Sequence, residues 1–488
     1  MTFNSYQFLI FFPIVYGLNF ALPQRLRSLM LLVASCLFYM AFVPQYILVL
    51  GFTIVVDYYA GLHIEQAIGT RRRAFLIASI VANVGMLAIF KYYNFFAEQV
   101  DTAARALSWK APLPLLSIVL PIGLSFHTFQ AMSYTIEVYR GNQRAERSFI
   151  VYALYVMFFP QLVAGPIERA TNLLAQFHKA HRFDPDRFVS GLTLALWGLF
   201  KKVVIADRLA HLVGTVYDNP YAQQDVSLTV ATVLFAYQIF CDFSGYSDIA
   251  IGTARMMGFD LMTNFRSPYL AASVPEFWRR WHISLSSWFR DYLYFPLGGN
   301  RRGRSIFYRN VLIVFLLCGL WHGANWTFIV WGGLHGTYLI LSVLTDEPRR
   351  RLWQTLGLTR FPALLRIGGV MTTFALVCVA WTFFRARNVD EALFIARGAI
   401  VGGLDFASVA FQPKEAWVLL RQFECRGADL PIAAGLMAIV ELYHLLEGKQ
   451  VIPAFAYAPL RWSVCLALVL AVMNFGVVDK IPFIYFQF

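Results

Sequence analysis

The chain has 488 residues, of which 58% are hydrophobic and only 14% are charged. Soluble domains are about 45–50% apolar and about 25% charged, so this composition excludes a soluble globular protein and predicts an integral membrane protein. The net charge of +13 is typical of Lys and Arg concentrated in cytoplasmic loops, and it does not require nucleic acid as a partner.

Apolar runs recur from Tyr6 to Val478 with no Ser/Gly/Pro-rich linker between them. A spanning helix needs about 20 apolar residues, so the runs predict about 11 or 12 spanning helices in an all-α polytopic membrane protein. We expect one membrane domain over residues 1–488. The candidate runs lie near residues 6–22, 29–43, 46–62, 74–96, 115–136, 149–165, 188–205, 227–251, 309–331, 364–384, 431–446 and 461–478.

The arginine-rich loops predict the orientation of the chain. Cytoplasmic loops carry the excess of Lys and Arg, and the arginine clusters can share that side if the N-terminus lies outside. These clusters are Arg25/Arg27, Arg71/Arg72/Arg73, Arg140/Arg144/Arg147, Arg301/Arg302/Arg304 and Arg349/Arg350/Arg351.

Glycine and proline interrupt several of the apolar runs. The breaks fall at residues 121–123, at Pro160, at residues 165–166 and at residues 298–299. Broken helices at membrane depth are tolerated only where they are buried in protein or line a wet cavity. The sequence therefore predicts an enclosed cavity.

Residues 252–310 differ from the clean spans because arginines and tryptophans interleave with apolar residues. Ser273 can cap a helix that Pro275 opens. An apolar stripe that includes His282 then runs to Tyr292, while Arg279 lies off it, which predicts one interfacial or re-entrant helix. Further on, residues 388–400 read as a capped amphipathic helix on a membrane surface.

The segment LLCGLWHGANW, residues 316–326, places His322 inside a run that is otherwise suited to lipid. Intramembrane ionisable groups are costly and usually face a bundle interior or a water-filled path. Cys318, Asn325 and flanking glycines put polarity and space beside it, so we expect a pocket in which the imidazole takes a proton from a hydroxyl. The alternative is a neutral histidine bonded to a backbone carbonyl, with no chemical role.

Two further groups are weaker candidates. His282 lies on a separate element, so a meeting with His322 would be tertiary, and the alternative is an interfacial histidine bonded to water. Cys318 could be a thiol nucleophile with His322 as its base, although cysteine in an apolar helix usually serves packing.

In CDFSGYSDIAIG, residues 241–252, Asp242 and Asp248 flank Ser244 and Ser247 within an apolar run. The chain contains no GxSxG elbow, which argues against a Ser-His-Asp hydrolase. Two interpretations stay open: a helix break with buried hydrogen bonds near the cavity wall, or contact with substrate.

The loop that contains Arg301, Arg302, Arg304 and Arg309 could hold the phosphates of a nucleotide-bearing donor, but the topology of the chain explains these charges without a ligand. The sequence has no Walker A pattern, no GxGxxG, no HExxH and no Cys/His metal spacing. ATP hydrolysis, a Rossmann cofactor and structural zinc are therefore not expected.

Several stretches together resemble a known family. They are PIG from Pro121 with the Ser-Phe that follows, EVYRG from Glu137, AGPIER around Gly165, DFSGYSDIAIG from Asp242, EFWRRWHISLSSWFRDYLYFPLGGNRRG from Glu276, LWHGANW around His322, WTFFRAR from Trp381 and the final FIYFQF. The chain is similar to the membrane-bound O-acyltransferase (MBOAT) family, and within it to the bacterial alginate O-acetyltransferase branch. One departure is His127 in SFHTF, where relatives are expected to carry an aromatic residue, and we leave it out of the site.

The resemblance implies a bundle of spanning helices, with re-entrant and interfacial helices, around a central tunnel. It implies that His322 is catalytic and that His282 is its companion in the active site. A polar neighbour such as Asn325 or His282 could stabilise an oxyanion. We assign substrate binding to Asn325, Trp321, Asp242, Ser244 and Arg279.

The resemblance also implies an O-acetyltransferase of the bacterial inner membrane that modifies a secreted polysaccharide, with alginate as the first candidate. We expect acetyl-CoA as the acyl donor, no bound cofactor and no metal. The expected partners are membrane lipid and either the polysaccharide acceptor or periplasmic acetyltransferase proteins. Alternatives are O-acetylation of peptidoglycan or cellulose, D-alanylation of teichoic acid, and a conduit that conducts the acyl group or another solute without chemistry.

Overall fold

The computed structural model describes most of the chain, and within the described part every regular element is a helix. Of the sequence features above, residues 118–119, Ala164, Arg302, Val478 and residues 485–488 lie outside the described residues. The described residues are 1–109, 113–117, 120–163, 165–301, 303–423, 429–448, 458–477 and 483–484.

The predicted all-α membrane fold is confirmed. Within the described ranges, nine helices are long and apolar enough to cross a membrane. Two shorter apolar helices, Tyr6–Ala21 and Trp462–Phe475, add to them. The total is close to the expected number of spans, and it identifies a multi-pass membrane protein.

The first of two compact units contains Met1–Gly198 and Tyr246–Thr263. A buried carboxylate holds three of its helices together, because Asp57 accepts hydrogen bonds from Ser79 Oγ at 2.6 Å and from Asn83, while Ser79 also contacts Thr135 at 3.0 Å. The helices that begin in this unit are α1 (Tyr6–Ala21), α2 (Gln24–Met40), α3 (Ile47–Gln66), α4 (Gly69–Leu87), α5 (Tyr93–Ala106), α6 (Leu124–Arg140), α7 (Phe149–Met157), α8 (Phe159–Leu162), α9 (Ala170–Phe177) and α10 (Pro185–Phe200).

The second unit contains Leu199–Gly245 and Asn264–Phe488, and it holds all the predicted site residues. It begins with a π-helical turn, Lys201–Ala206, and a second π-helical turn, Arg290–Tyr294, follows α14. Its helices are α11 (Asp207–Tyr217), α12 (Asp225–Met256, which ends in the first unit), α13 (Val274–Trp278), α14 (Ile283–Phe289), α15 (Arg304–His322), α16 (Trp326–Leu344), α17 (Asp346–Thr355), α18 (Pro362–Arg385), α19 (Val389–Ala410), α20 (Pro413–Gln422), α21 (Asp429–Gly448) and α22 (Ala458–Phe475).

Several predicted elements have different bounds in the structure. In the run 115–136 the helix α6 begins only at Leu124, and the run 149–165 contains two short helices, α7 and α8. The single helix expected from Pro275 is broken into α13 and α14 at His282, although Ser273 caps it as predicted by accepting a hydrogen bond from the Glu276 N–H at 3.3 Å. The run 309–331 divides into α15 and α16. The amphipathic helix expected to end at Ile400 continues to Ala410, and its first 21 residues are long and apolar enough to span a membrane.

Glycines bring α15 and α16 into direct backbone contact. A Cβ atom on Gly319 would overlap the carbonyl oxygen of Phe328, and a Cβ on Gly332 would overlap the carbonyl oxygen of Phe315. Small residues allow this approach between membrane helices, where van der Waals packing replaces the hydrophobic effect as the driving force. The contact fixes the end of α15, where His322 lies, against α16.

We expect Gly332→Ala to destabilise the protein by about 1–3 kcal/mol, because the added methyl group forces the two backbones apart. Gly333→Ala is the matched control, since its Cβ would meet only Leu316 Cδ2 at 3.6 Å. Thermal unfolding of the purified protein in detergent measures both variants. Equal melting temperatures for the two would contradict the close-packing account.

Candidate active site

His322 is the last residue of α15 and lies at the corner between two packed helices. Gly323 follows it in an extended conformation, and Asn325 then caps α16 by accepting a hydrogen bond from the Thr327 N–H at 3.0 Å. The Asn325 amide also donates to the carbonyl oxygen of Arg387 at 3.2 Å. The short turn therefore fixes the place of His322, and Asn325 takes part in holding that turn.

The imidazole of His322 is surrounded by aromatic rings. Only 4% of the residue is exposed, and its ring centroid lies 4.9 Å from Trp321, 5.0 Å from Trp331 and 5.2 Å from Phe384, all edge to face. These distances fall in the favourable range for aromatic pairs. The cage is aromatic rather than aliphatic, and it leaves little room for bulk water.

His282 lies at the break between α13 and α14 with φ 43° and ψ 55°, in the left-handed region. A non-glycine residue there stores backbone strain, which persists only where the surroundings impose it. Asn264 imposes this left-handed conformation on His282. Its carbonyl oxygen accepts from the Ile283 N–H at 2.9 Å, and its Oδ1 accepts from the Ser284 N–H at 3.2 Å.

The same Asn264 fixes the tautomer of His282. The Ser284 backbone N–H can only donate, so the Asn264 atom that it meets is the oxygen, and this oxygen lies 3.1 Å from His282 Nδ1. An amide oxygen can only accept, so Nδ1 carries the proton and Nε2 is the acceptor of the ring. Burial lowers the pKa of His282 to about 3, so the imidazole is neutral at physiological pH.

Trp321 links the two histidines. Its ring centroid lies 6.2 Å from His282 and 4.9 Å from His322. Forty residues separate the histidines in the sequence, and only the fold brings them to one indole. Both imidazoles therefore contact the same indole within the second unit, and their roles in catalysis stay predictions.

The polar residues of the α12 segment are engaged in ion pairs and hydrogen bonds. Asp242 pairs with Lys202 at 2.8 Å, and Ser244 accepts from Lys201 at 2.8 Å. Phe243, between them, packs edge-on against His282 with ring centroids 4.6 Å apart. This arrangement gives Asp242 and Ser244 structural partners, and their contact with substrate stays a prediction.

Sequence reasoning missed five residues around the site. Lys201 and Lys202 carried a usable signal, because adjacent lysines inside an apolar run mark buried ion pairs. Phe243, Asn264 and His335 carried none, since one phenylalanine, asparagine or histidine is not distinctive. His335 is fully buried, its Nδ1 accepts from the Trp278 indole N–H at 3.3 Å, and its ring lies 4.9 Å from Trp331.

A cavity of about 440 Å³ lies beside the site, between α14, the π-helical turn after it and α15. Its wall on α15 runs from Phe307 to Cys318, which is about 16 Å at 1.5 Å per residue. Cys318 is one helical turn before His322 on the same face. Arg279, which is exposed, lines the cavity as well.

The remaining predictions concern His127, metal binding, the tunnel and the substrate-binding residues. His127 is buried in the first unit, with its ring 6.3 Å from Tyr39. Among the described residues, no group of three or more His, Cys, Asp and Glu side chains could hold a metal ion. The central tunnel and the substrate-binding roles of Asn325, Trp321 and Arg279 stay predictions.

Comparison with known proteins identifies the family. A sequence model for the MBOAT, membrane-bound O-acyltransferase family, matches residues 141–380. The probable alginate O-acetylase AlgI of Pseudomonas aeruginosa is 42% identical over 80% of this chain and 73% of its own length. The chain belongs to the membrane-bound O-acyltransferase family. The matched range contains both His282 and His322, as the motif resemblance predicts.

Two other members of the membrane-bound O-acyltransferase family extend the match. The probable alginate O-acetylase AlgI of Pseudomonas putida is 36% identical over the full length of both chains. The peptidoglycan O-acetyltransferase of Helicobacter pylori is 35% identical over 85% of this chain and 82% of its own. The protein is therefore a membrane O-acyltransferase.

We expect Asn264→Leu to lower acyl transfer and to destabilise the protein, because it leaves the Ser284 N–H, the Ser284 hydroxyl and His282 Nδ1 buried without their acceptor. Each unsatisfied group costs about 1–3 kcal/mol. Activity and melting temperature are measured beside Asn474→Leu, a control at an exposed position. An Asn264→Leu protein with the activity of the control would contradict the role of this amide.

Proposed function

We propose that the protein is an O-acetyltransferase of the bacterial inner membrane, with its N-terminus outside. It moves an acetyl group from a cytoplasmic thioester, acetyl-CoA being the first candidate, toward hydroxyl groups of a secreted polysaccharide, alginate being the first candidate. The observation that supports it most is the pair of buried imidazoles of His282 and His322 around Trp321. The names of two relatives, one of them matched over the full length of both chains, support the acetyl group and the polymer.

His322 acts as the general base in this proposal. Its imidazole accepts the proton of an acceptor hydroxyl while that oxygen attacks the thioester carbonyl carbon, so a C–O bond forms. The tetrahedral intermediate then collapses, the C–S bond breaks, and the proton passes from the imidazolium to the leaving thiolate. The products are an acetate ester and a free thiol, with no net uptake of protons.

His282 supports this step as a neutral hydrogen-bond acceptor. Its Nδ1–H is directed at Asn264, so Nε2 offers a lone pair and no proton for an oxyanion. In this tautomer His282 orients a hydroxyl or a water by accepting its hydrogen bond. The role in oxyanion stabilisation that the sequence allowed for His282 therefore goes to another donor in our mechanism.

We assign that role to the indole N–H of Trp331. The residue is fully buried, its ring lies 5.0 Å from His322, and among the described residues its N–H makes no hydrogen bond. A preformed donor in a dry site stabilises developing negative charge more strongly than the same donor in water. The N–H would meet the carbonyl oxygen as the intermediate forms.

Access to His322 requires movement of the aromatic cage, since the residue is 4% exposed. The donor approaches through the cavity that ends at Cys318, one turn from His322. The apolar walls exclude water and so protect the thioester from hydrolysis. The acceptor arrives from the opposite side, either as the polysaccharide or as a periplasmic acetyltransferase partner that carries the acetyl group onward.

The second candidate function is O-acetylation of peptidoglycan, favoured by the relative from Helicobacter pylori. Purified protein incubated with radiolabelled acetyl-CoA and either alginate oligomers or peptidoglycan fragments separates the two. Label in alginate oligomers supports the proposal, and label only in peptidoglycan fragments contradicts the choice of polymer.

We expect His322→Gln to abolish acetyl transfer, with a loss of at least about 100-fold, because the amide side chain cannot act as a base. Acetyl content of the secreted polymer, measured by NMR in cells that carry each variant, is the readout. His211→Gln, at an exposed position, is the matched control. A conduit without chemistry would tolerate His322→Gln, so normal acetylation by this variant contradicts the enzyme mechanism.

We expect Trp331→Phe to lower kcat by about 100-fold because the indole N–H is removed. The melting temperature should fall as well, because the smaller phenyl ring leaves a cavity at a fully buried position. Trp462→Phe, at a position that is 52% exposed, serves as the control. An unchanged kcat would exclude the indole N–H as the oxyanion donor.

A further inference from the structure

The chain returns to the active site after its last helix. Phe483 and Ile484 are 0% and 2% exposed, and the Ile484 N–H donates to Asp242 Oδ2 at 2.8 Å. Asp242 lies on α12, directly before the Phe243 ring that packs on His282. Residues 483–484 are therefore bound at the element that backs one of the two histidines.

The carboxylate that holds this segment is itself fixed by a buried ion network. Lys202 Nζ lies 2.8 Å from both Asp242 Oδ1 and Asp207 Oδ1, and all three side chains are at most 5% exposed. Breaking a buried ion pair leaves a charge without a partner, which is strongly destabilising. The network therefore holds the Asp242 carboxylate in place. Asp242 uses one oxygen for Lys202 and the other for Ile484.

The same π-helical turn, Lys201–Ala206, holds the beginning of the returning segment. The Val477 N–H donates to the Val203 carbonyl oxygen at 2.9 Å, and Arg208 donates to the Phe475 carbonyl oxygen at 3.2 Å. A π-helical turn shifts the backbone hydrogen-bond pattern and recurs at functional sites. The segment is thus held at both described ends, after α22 and at Ile484.

A chain of ring contacts leads from the segment to His282. The Phe483 ring lies 5.8 Å from Phe243, and Phe243 lies 4.6 Å from His282 at an interplanar angle of 88°. Asn264 fixes one edge of the imidazole by a hydrogen bond, and Phe243 faces the ring from another element. Phe483 in turn packs against Phe243.

We propose that the Phe483–Ile484 segment is a positioning element of the active site, clamped by Lys202 and Asp242, and that Phe483 holds Phe243 against the imidazole of His282. This inference rests on the proposed function, in which His282 takes part in acyl transfer. Phe483, Lys202 and Asp242 are positioning residues, since they act on the reaction through Phe243 and His282.

The surroundings of the Asp242–Ile484 hydrogen bond indicate how its loss would affect His282. A polar cavity of about 150 Å³ adjoins it, lined in part by Asp207, Asp242 and Ile484. A segment released from Asp242 has this space to move into. Phe483 would then leave Phe243, and Phe243 would no longer be held against the ring of His282.

The first test is steady-state kinetics of acetyl transfer. We expect Phe483→Ala and Ile484→Pro, which removes the N–H that Asp242 binds, to lower kcat by at least about 10-fold with the donor KM within about 2-fold. Phe483→Leu should recover most of the kcat because it refills the space behind Phe243. Met473→Ala, at a position 76% exposed on α22, should leave both constants unchanged.

A double-mutant cycle distinguishes positioning from a separate effect. In the proposal, Asp242 and Phe483 act on His282 through the same contact, that of Phe243 with the imidazole. In that case Asp242→Asn combined with Phe483→Ala lowers kcat no further than the worse single variant. Additive losses, or a kcat for Phe483→Ala equal to that of the unaltered protein, overturn the proposal. His322→Ala is included throughout: an active His322→Ala protein overturns the proposed function instead.

A readout without activity tests the clamp itself. Chymotrypsin cleaves after phenylalanine, and intact-mass analysis of the folded protein in detergent follows cleavage after Phe483. We expect Asp242→Asn to be cleaved there at least about 10-fold faster than the unaltered protein, since local opening exposes the bond. Equal cleavage rates would show that Asp242 does not hold the segment.

Discussion

The side-chain oxygen of Asn264 accepts hydrogen bonds from the Ser284 backbone, the Ser284 hydroxyl at 2.9 Å and His282 Nδ1. In a dry interior these donors have no water to replace that acceptor. This amide therefore holds the left-handed backbone of His282 and selects the tautomer of its ring. It also joins the start of α14 to the segment that precedes α13. The rest of the active-site geometry is built on this fixed imidazole.

The second histidine is held by the packing of its helix and of the rings around it. Glycines bring α15 and α16 together until backbone meets backbone, and His322 ends α15 at the corner that this contact creates. Aromatic rings from three helices then enclose the imidazole. In our proposal the two histidines differ accordingly: His282 is oriented by its hydrogen bond to Asn264, whereas the aromatic rings around His322 move when a substrate arrives.

Much of the fold follows from the sequence because lipid imposes simple rules. Apolar length predicted most of the spans, and the Ser273 cap was readable from the local pattern. The break at His282 was not, since the apolar stripe continues through it and the strain is imposed by Asn264, which is 18 positions earlier. Likewise, Asp242 and Ser244 were visible as polar residues in an apolar run, but their partners Lys202 and Lys201 lie on another helix. The role of such residues depends on their tertiary partners, which the periodicity of the sequence does not reveal.

The structure of the protein bound to a non-reactive thioether analogue of acetyl-CoA would test the central claim most directly. A general base lies about 3 Å from the hydroxyl that it deprotonates, and that oxygen lies about 3 Å from the carbon that it attacks. The account predicts the acetyl carbonyl carbon within about 6 Å of a ring nitrogen of His322, on the side of Trp321. An acetyl group bound elsewhere, with the aromatic cage around His322 still closed, would contradict it.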